Sequence, residues 1–216
     1  MIHDAKNKVI LTTNQFISKI QPAIGGTIPI INIDQLDKNV LLKKIPVEYS
    51  PEDVVQILFT SGSTGKPKGA IEDYRYLMRA VHVKLNTYEF NEDDKILQLS
   101  TFTFSGHHTF VFTSLLVGLT ICYHPVKVEG FSSLPGWMKD KGVTIFTATP
   151  TTFRSLVSVI KPEETFPLVH TFYLGGDRRL RNDILAMKTH FPNVKWVRIN
   201  YSGTEMQTVA SSLVSI

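Results

Sequence analysis

Short apolar stretches rich in β-branched and aromatic residues alternate along the chain with longer segments of helical periodicity. The short stretches predict β-strands, because such residues fit a pleated surface whose side chains alternate between two faces. Apolar residues spaced three and four apart predict amphipathic helices. The predicted strands cover residues 8–12, 29–33, 54–60, 95–100, 119–124, 143–149, 169–174, 195–200 and 208–216. The predicted helices cover residues 74–85, 107–118, 134–141, 151–160 and 181–191.

This alternation predicts an α/β fold with mainly parallel strands. With 216 residues, 43% of them hydrophobic, the chain is long enough to bury a core as one domain or two small subdomains. Trp137, Phe146 and Phe153 are predicted to lie in that core. The final predicted strand has no polar tail after it, so we expect the chain to be part of something longer.

Charge and apolar patterning exclude several classes of protein. The net charge is +4, but the basic residues are scattered and form no long block, which gives no support for nucleic-acid binding. No apolar run reaches the roughly 18 residues of a membrane span, and the first residues carry no secretory signal. The single cysteine, Cys122, lies in an apolar run and is predicted to be a buried, unreactive thiol. We therefore expect a cytoplasmic protein that contacts neither nucleic acid nor membrane.

The stretch FTSGSTGKPKG, residues 59–69, combines glycines, hydroxyl side chains and two lysines without any carboxylate. It follows the predicted strand 54–60 and precedes a segment of helical periodicity. Backbone amides, hydroxyls and ammonium groups at such a junction favour an anion such as phosphate. A Walker loop needs Ser or Thr after its Gly-Lys pair and Gly five residues earlier, whereas this chain has Pro67 and Thr60. A flexible Ser/Gly turn is the alternative interpretation.

The ten residues TSGSTGKPKG resemble the phosphate-loop motif of the adenylate-forming superfamily. That superfamily includes nonribosomal peptide synthetase adenylation domains, acyl- and aryl-CoA synthetases and luciferases. The resemblance implies that Lys68 helps to hold the leaving pyrophosphate, where amides and an ammonium neutralise developing charge. It also implies that the β- and γ-phosphates of ATP are wrapped by Thr60, Ser61, Gly62, Ser63, Thr64 and Gly65.

A second stretch, LGGDRRL at 174–180, resembles the family's strand-end segment that lies against the adenine ring. The resemblance places Gly175, Gly176 and Asp177 at the nucleotide, and the two glycines would leave room for a flat base. The alternative interpretation is a plain turn between a strand and a helix.

The stretch RINYSGTEM, residues 198–206, resembles the family's aromatic-Gly-x-Thr-Glu segment. The resemblance implies that Tyr201 stacks on adenine, that Thr204 bonds the α-phosphate and that Glu205 is an oxygen ligand of Mg²⁺. Thr204 and Glu205, together with Lys68, are the predicted catalytic residues. This chain departs from the family with Ser202 where glycine is common, and the alternative is a turn with a surface acid.

The stretch at 101–118 falls where the family carries its substrate-pocket motif. An ungapped count places Ser105 where amino-acid-activating members have an aspartate for the substrate's α-amino group. Because a neutral serine cannot form that ion pair, an aryl, fatty, keto or hydroxy acid is expected rather than an ordinary α-amino acid. His107 and His108 are predicted to line the pocket, unless they are only a histidine pair at a helix start. Thr149 matches the segment before the next pocket helix.

The resemblance implies activation of a carboxylic acid to acyl-AMP with release of pyrophosphate, using ATP and Mg²⁺. Loading of a carrier-protein thiol, as in nonribosomal peptide synthetases, is expected, with transfer to CoA as the alternative. The family's ribose-binding aspartate and lysine-bearing lid domain have no counterpart here, so residues 1–216 are expected to be the central part of an adenylation domain. An alternative of another class is therefore a truncated, non-catalytic nucleotide-binding or interaction fragment.

Overall fold

The computed structural model describes residues 5–37, 47–60, 66–88, 90–99, 105–203 and 207–216, and only the backbone at Ser105, His107, 200–203 and 207–211. These residues divide into two compact units, Met1–Tyr74 and Arg75–Ile216. The fold is α/β, and most of its strand pairs are parallel, as the alternation of strands and helices predicts.

The first unit begins with two parallel strands, β1 (Ile10–Thr12) and β2 (Ile30–Asn32). The helix α1 (Asn14–Ile24) connects them, and a single 3₁₀ turn follows β2 at Ile33–Gln35. Both strands lie where the apolar pattern predicts them, whereas α1 was not predicted. Pro22 lies inside this helix and two glycines follow its end, and these residues mask the helical pattern.

The second part of the first unit is an antiparallel pair, β3 (Val54–Thr60) and β4 (Lys68–Asp73). The prediction that the glycine-rich loop lies between a strand and a helix is therefore wrong. The residues after the loop form a strand that pairs back onto β3, with Thr60 opposite Lys68 and Phe59 opposite Gly69. Strand β4 contains two acidic residues and few apolar ones, so its sequence does not show the apolar alternation typical of strands.

The second unit is built on a six-stranded sheet in the order β10-β9-β8-β7-β5-β6. Its first five strands in chain order run parallel, and β10 pairs with β9 antiparallel at one edge. The strands are β5 (Lys95–Gln98), β6 (Thr120–Tyr123), β7 (Ile145–Ala148), β8 (Thr171–Gly175), β9 (Trp196–Gly203) and β10 (Gln207–Ser215).

Helices connect the parallel strands, as crossovers between parallel strands require. All five predicted helices are found, with bounds within three residues of the prediction, and one short helix, α4, was not predicted. The helices are α2 (Tyr74–Thr87), α3 (Ser105–Val117), α4 (Val126–Glu129), α5 (Leu134–Lys141), α6 (Pro150–Val157) and α7 (Arg181–His190).

Side chains on the two faces of this sheet form two separate apolar clusters. The larger cluster joins residues of α5, α6 and α7 to alternate strand residues such as Phe146 and Phe172. The smaller one contains Tyr88, Phe110 of α3 and the intervening strand residues, including Tyr173. Strands buried on both faces are typical of a parallel sheet covered by helices. Phe146 and Phe153 are fully buried and Trp137 packs partly buried against the larger cluster, as predicted.

The predicted state of the cysteine is also confirmed. Cys122 on β6 is a free thiol that is only 7% exposed, and burial raises its pKa. Such a thiol is a poor nucleophile, because the thiolate is the reactive form. Among the described residues, no helix is long and apolar enough to cross a membrane.

Candidate functional site

The carboxyl ends of the parallel strands place several predicted site residues along one edge of the six-stranded sheet. Strand β8 ends at Gly175, the helix α6 begins immediately after Thr149, and α3 begins at Ser105. In open α/β sheets, ligands bind outside the carboxyl ends of the strands. The second unit therefore has its candidate ligand site at this edge.

Thr149 is the N-cap of α6. Its hydroxyl oxygen accepts a hydrogen bond from the Thr152 amide at 3.2 Å and lies 2.9 Å from the Thr152 hydroxyl. Pro150 occupies the first helical position, where its missing amide proton costs nothing. The hydroxyl of Thr149 is thus used to start the helix, in addition to the pocket role predicted for it.

The two predicted glycines are the last residue of β8, Gly175, and the residue that follows it, Gly176, and packing or backbone conformation favours glycine at each. A Cβ atom at Gly175 would lie 3.0 Å from the Tyr173 hydroxyl oxygen and 3.1–3.2 Å from its ring carbons. The space into which a side chain at Gly175 would point is therefore taken by Tyr173, while the placement of this segment's backbone against an adenine ring stays a prediction. Gly176 has φ of +86°, a left-handed conformation that glycine adopts most readily.

The carboxylate of Asp177 is held in place by two donors. It accepts hydrogen bonds from the Thr151 hydroxyl and from the Arg178 amide, both at 2.6 Å. The Thr151 hydrogen bond is the main reason why the pKa of this exposed carboxyl is lowered, and the Arg178 amide adds to it. Asp177 thus fixes the turn that follows β8 to the first turn of α6.

An ion pair between α6 and α7 holds the other end of this turn. Arg154 donates to both carboxylate oxygens of Asp183, at 2.8 and 2.9 Å, and also to the Arg178 carbonyl at 2.8 Å. Asp183 is 2% exposed and in addition accepts the Leu180 amide at 2.8 Å, so it caps α7. Neither charged residue was predicted to have a role, although an acidic residue in the first turn of a predicted helix is a capping signal.

We expect Asp183→Ala to lower the free energy of unfolding by about 2 kcal/mol, because it removes three charge-assisted hydrogen bonds from a buried position. For a chain of this length that corresponds to a melting temperature about 4–8 °C lower. Thermal unfolding followed by circular dichroism measures the shift. The matched control is Asp140→Ala, whose side chain is 76% exposed, and which should change the melting temperature little. Equal shifts in the two variants would contradict the role of the ion pair.

Of the predicted phosphate loop in the first unit, the structure describes only the two ends. The Thr60 hydroxyl donates to the Lys68 carbonyl at 3.5 Å across the β3–β4 pair. Lys66 and Lys68 are exposed, and neither forms an ion pair with a carboxylate of the described residues. Two ammonium groups without a counter-ion in this part of the chain suit an anionic ligand such as a polyphosphate. These two charges therefore fit the triphosphate of ATP.

Several predicted site residues lie outside the described part of the chain. They are Ser61, Gly62, Ser63, Thr64 and Gly65 of the phosphate loop, together with Thr204 and Glu205. The backbone alone is described at Ser105, His107 and Tyr201, whereas His108 lies half-buried on α3. Within the described ranges, no three His, Cys, Asp or Glu side chains come together as metal ligands. The roles of these residues, including Glu205 as a ligand of Mg²⁺, stay predictions.

A buried lysine that the sequence analysis did not single out lies on the face of the sheet that carries Tyr173. Lys84 belongs to the buried stripe of α2, with Leu77 and Val81, and is 6% exposed. Burial lowers the pKa of Lys84 to about 8. The spacing of these three residues, four and three apart, is the signal that places a lysine on the apolar side of the helix.

The comparisons with known proteins agree with this fold. A family model described as AMP-binding enzyme matches residues 1–215. The chain belongs to the AMP-binding enzyme family. A plipastatin synthase chain of Bacillus subtilis (strain 168) is 28% identical over 194 residues, which are 88% of this chain and 5% of that protein. Nonribosomal peptide synthetase 4 of Gibberella zeae is 28% identical over 211 residues, which are 98% of this chain and 3% of that protein. The chain thus spans only a small part of the length of these curated relatives.

Two solved structures illustrate the structural likeness. The nonribosomal peptide synthetase FmoA3 superposes with a TM-score of 0.88 at 16% identity, over 100% of this chain and 23% of that one. The N-terminal domain of FACL13 from Mycobacterium tuberculosis superposes with a TM-score of 0.80 at 22% identity, over 94% of this chain and 52% of that one. Both show that this chain has the fold of the N-terminal region of adenylate-forming enzymes.

Proposed function

We propose that the protein binds Mg-ATP and takes part in the activation of a carboxylic acid to an acyl-adenylate. The observation that carries this proposal is the family match over residues 1–215, which includes the complete TSGSTGKPKG motif. In the proposed reaction a carboxylate oxygen attacks the α-phosphorus of ATP, the bond to the bridging oxygen breaks, and pyrophosphate leaves.

The chain's own residues would act by position and charge, because the substrate carboxylate is itself the nucleophile. Lys68 and the loop residues Thr60–Gly65 would bind the β- and γ-phosphates and neutralise the charge that pyrophosphate gains. Gly175, Gly176 and Asp177 would lie along the adenine, with Tyr201 stacked on it. Thr204 would bind the α-phosphate and Glu205 would hold Mg²⁺, which when bound neutralises phosphate charge.

The residue type at Ser105 supports a proposal for the class of acid. Ser105 replaces the aspartate that pairs with an α-amino group in amino-acid-activating members, which favours an aryl, fatty, keto or hydroxy acid. His107, His108 and Thr149 are the other residues proposed to contact the acid. The acyl acceptor is proposed to be a carrier-protein thiol, because curated relatives are named as nonribosomal peptide synthetases. Transfer to CoA is the alternative, and a carrier-protein serine motif downstream in the gene would decide against it.

We expect Lys68→Ala to weaken Mg-ATP binding roughly 10- to 100-fold, because one charge-assisted contact to phosphate is lost. Isothermal titration calorimetry of the chain with Mg-ATP measures the affinity. The neighbouring exposed lysine supplies the matched control, since Lys66→Ala removes the same charge without the assigned contact and should cost less. Equal losses would show that only net charge matters at this loop.

Catalysis and binding are separated by a second measurement. Carboxylate-dependent exchange of labelled pyrophosphate into ATP reports formation of the acyl-adenylate. A chain that binds Mg-ATP but supports no exchange with a broad panel of acids would favour the non-catalytic nucleotide-binding alternative. A folded chain that does not bind Mg-ATP would overturn the proposed function as a whole.

A further inference from the structure

The turn that follows β8, residues 176–180, is attached to α6 by two side chains of that helix. The Thr151 hydroxyl donates to Asp177 Oδ2 at 2.6 Å, and the guanidinium of Arg154 donates to the Arg178 carbonyl at 2.8 Å. Thr151 and Arg154 are three residues apart, so they lie on one face of α6. This face of α6 therefore holds two consecutive residues of the turn.

Both carboxylate oxygens of Asp177 are used within the protein. Oδ2 accepts the Thr151 hydroxyl and Oδ1 accepts the Arg178 amide, each at 2.6 Å. Hydrogen bonds to an ionised acceptor are shorter and stronger than those between neutral groups. This geometry gives the side chain of Asp177 a role inside the turn that requires no contact with a ligand.

The two glycines before Asp177 depend on such anchors. Gly176 has φ of +86°, and glycine populates many backbone conformations because it has no Cβ atom. On the strand side, the Arg179 guanidinium donates to the Leu174 carbonyl at 2.9 Å, and on the other side Asp177 is held by α6. The backbone path of Gly175 and Gly176 is thus fixed by the residues that flank them.

The hydroxyl of Thr151 contributes little else to the fold. Thr151 is exposed, and within the described ranges its hydroxyl bonds to Asp177 alone. Exposed positions away from the core tolerate substitution with little change in stability. Binding sites, in contrast, need their contact groups held within about 0.5 Å by supporting hydrogen bonds. The position of Thr151 therefore suits the support of a binding site better than the support of the core.

We propose that Thr151 is a positioning residue for the nucleotide. Its hydrogen bond to Asp177 holds the backbone of Gly175 and Gly176 in the conformation along which the adenine is proposed to lie. Thr151 acts through this turn rather than by contact with the ligand. The inference rests on the proposed function and adds to it a hydroxyl group on α6 on which the affinity for the nucleotide depends.

The test is isothermal titration calorimetry of the chain with Mg-ATP and with Mg-tripolyphosphate. Thr151→Val keeps the shape of the side chain without the hydroxyl, and it is expected to bind Mg-ATP roughly tenfold more weakly, since one hydrogen bond to a charged group is lost. Thr151→Ser keeps the hydroxyl and should bind Mg-ATP within about threefold of the wild type. Tripolyphosphate lacks the nucleoside, so its affinity should be equal in all three chains.

Two further variants make the result specific. Thr189→Val removes the hydroxyl that donates to the Leu185 carbonyl at 3.1 Å on α7, also at an exposed position, and should retain the Mg-ATP affinity of the wild type. Thr151→Ala should lose affinity as Thr151→Val does, and it serves in its place if the latter does not fold. Circular dichroism of each variant establishes folding, and unchanged melting temperatures separate a loss of affinity from a loss of stability.

Wild-type affinity for Mg-ATP in Thr151→Val would overturn the inference while the proposed function stands. The inference also fails if Thr151→Ser loses as much affinity as Thr151→Val, or if tripolyphosphate binding falls by the same factor as Mg-ATP binding. Where tripolyphosphate binds too weakly to measure, the contrast between the valine and serine variants decides. A folded wild type that does not bind Mg-ATP overturns the proposed function and this inference with it.

Discussion

Raising the pH from 8 to 10 is expected to stabilise the second unit by about 2 to 3 kcal/mol through Lys84 alone. Burial lowers the pKa of this lysine from 10.5 to about 8 in the folded protein. Below pH 8 the folded and unfolded chains both carry the ammonium, and the folded chain bears its full desolvation cost. Between pH 8 and 10 the folded chain releases the proton while the unfolded chain keeps it, so stability rises with pH.

The groups facing Lys84 limit the pH interval in which this gain is measured. Burial, and to a lesser extent Tyr173, raises the pKa of Tyr88 well above 10, while Arg198 opposes the rise. Above pH 10 the unfolded chain therefore loses tyrosine protons that the folded chain keeps, which lowers stability. Urea unfolding of the wild type and of Lys84→Met at pH 7.5, 8.5 and 9.5 isolates the lysine. A stability difference between them that stays constant with pH would contradict the assignment.

Phe172→Ala is expected to lower the free energy of unfolding by about 4 kcal/mol, because it opens a cavity in the larger apolar cluster. Phe172 is fully buried. Its ring stacks on Phe146 at 4.6 Å and meets Phe191 and Phe153 edge-on at 4.7 and 5.5 Å. Alanine would remove all three aromatic contacts from the centre of the sheet.

Urea unfolding followed by tryptophan fluorescence measures this loss, since both tryptophans, Trp137 and Trp196, belong to the second unit. The matched control is Leu185→Ala on α7, which is 50% exposed and should change stability by no more than about 0.5 kcal/mol. A loss below about 1 kcal/mol in Phe172→Ala would show that the ring does not fill its site.

The fold was predictable where the local pattern and the tertiary environment agree. The helix at 134–141 and the strand at 54–60 have the predicted bounds, because their apolar spacing matches the face that they bury. Helix α1 and strand β4 were missed, since α1 contains Pro22 and β4 is largely polar. In β4, antiparallel pairing with β3 outweighs weak local propensity.

Only those residues of the candidate site that belong to a sequence motif were predictable. The sequence pointed to Gly175, but the reason for a glycine there, the packing of the Tyr173 ring, depends on the neighbouring side chain's orientation. Arg154 and Asp183 are 29 residues apart, and nothing local indicates that their helices meet. The burial of Lys84 was predictable only from its position on α2, where it lies on the same side of the helix as two buried apolar residues.

The ring of Tyr173 fills the space over Gly175 on one side and lies beside the ammonium group of Lys84 on the other. Substitutions at these three positions are therefore expected to be non-additive, because each changes the ring position that the others require. The stability of a variant that combines changes at Lys84, Tyr173 and Gly175 therefore cannot be obtained by adding the effects of the three single substitutions.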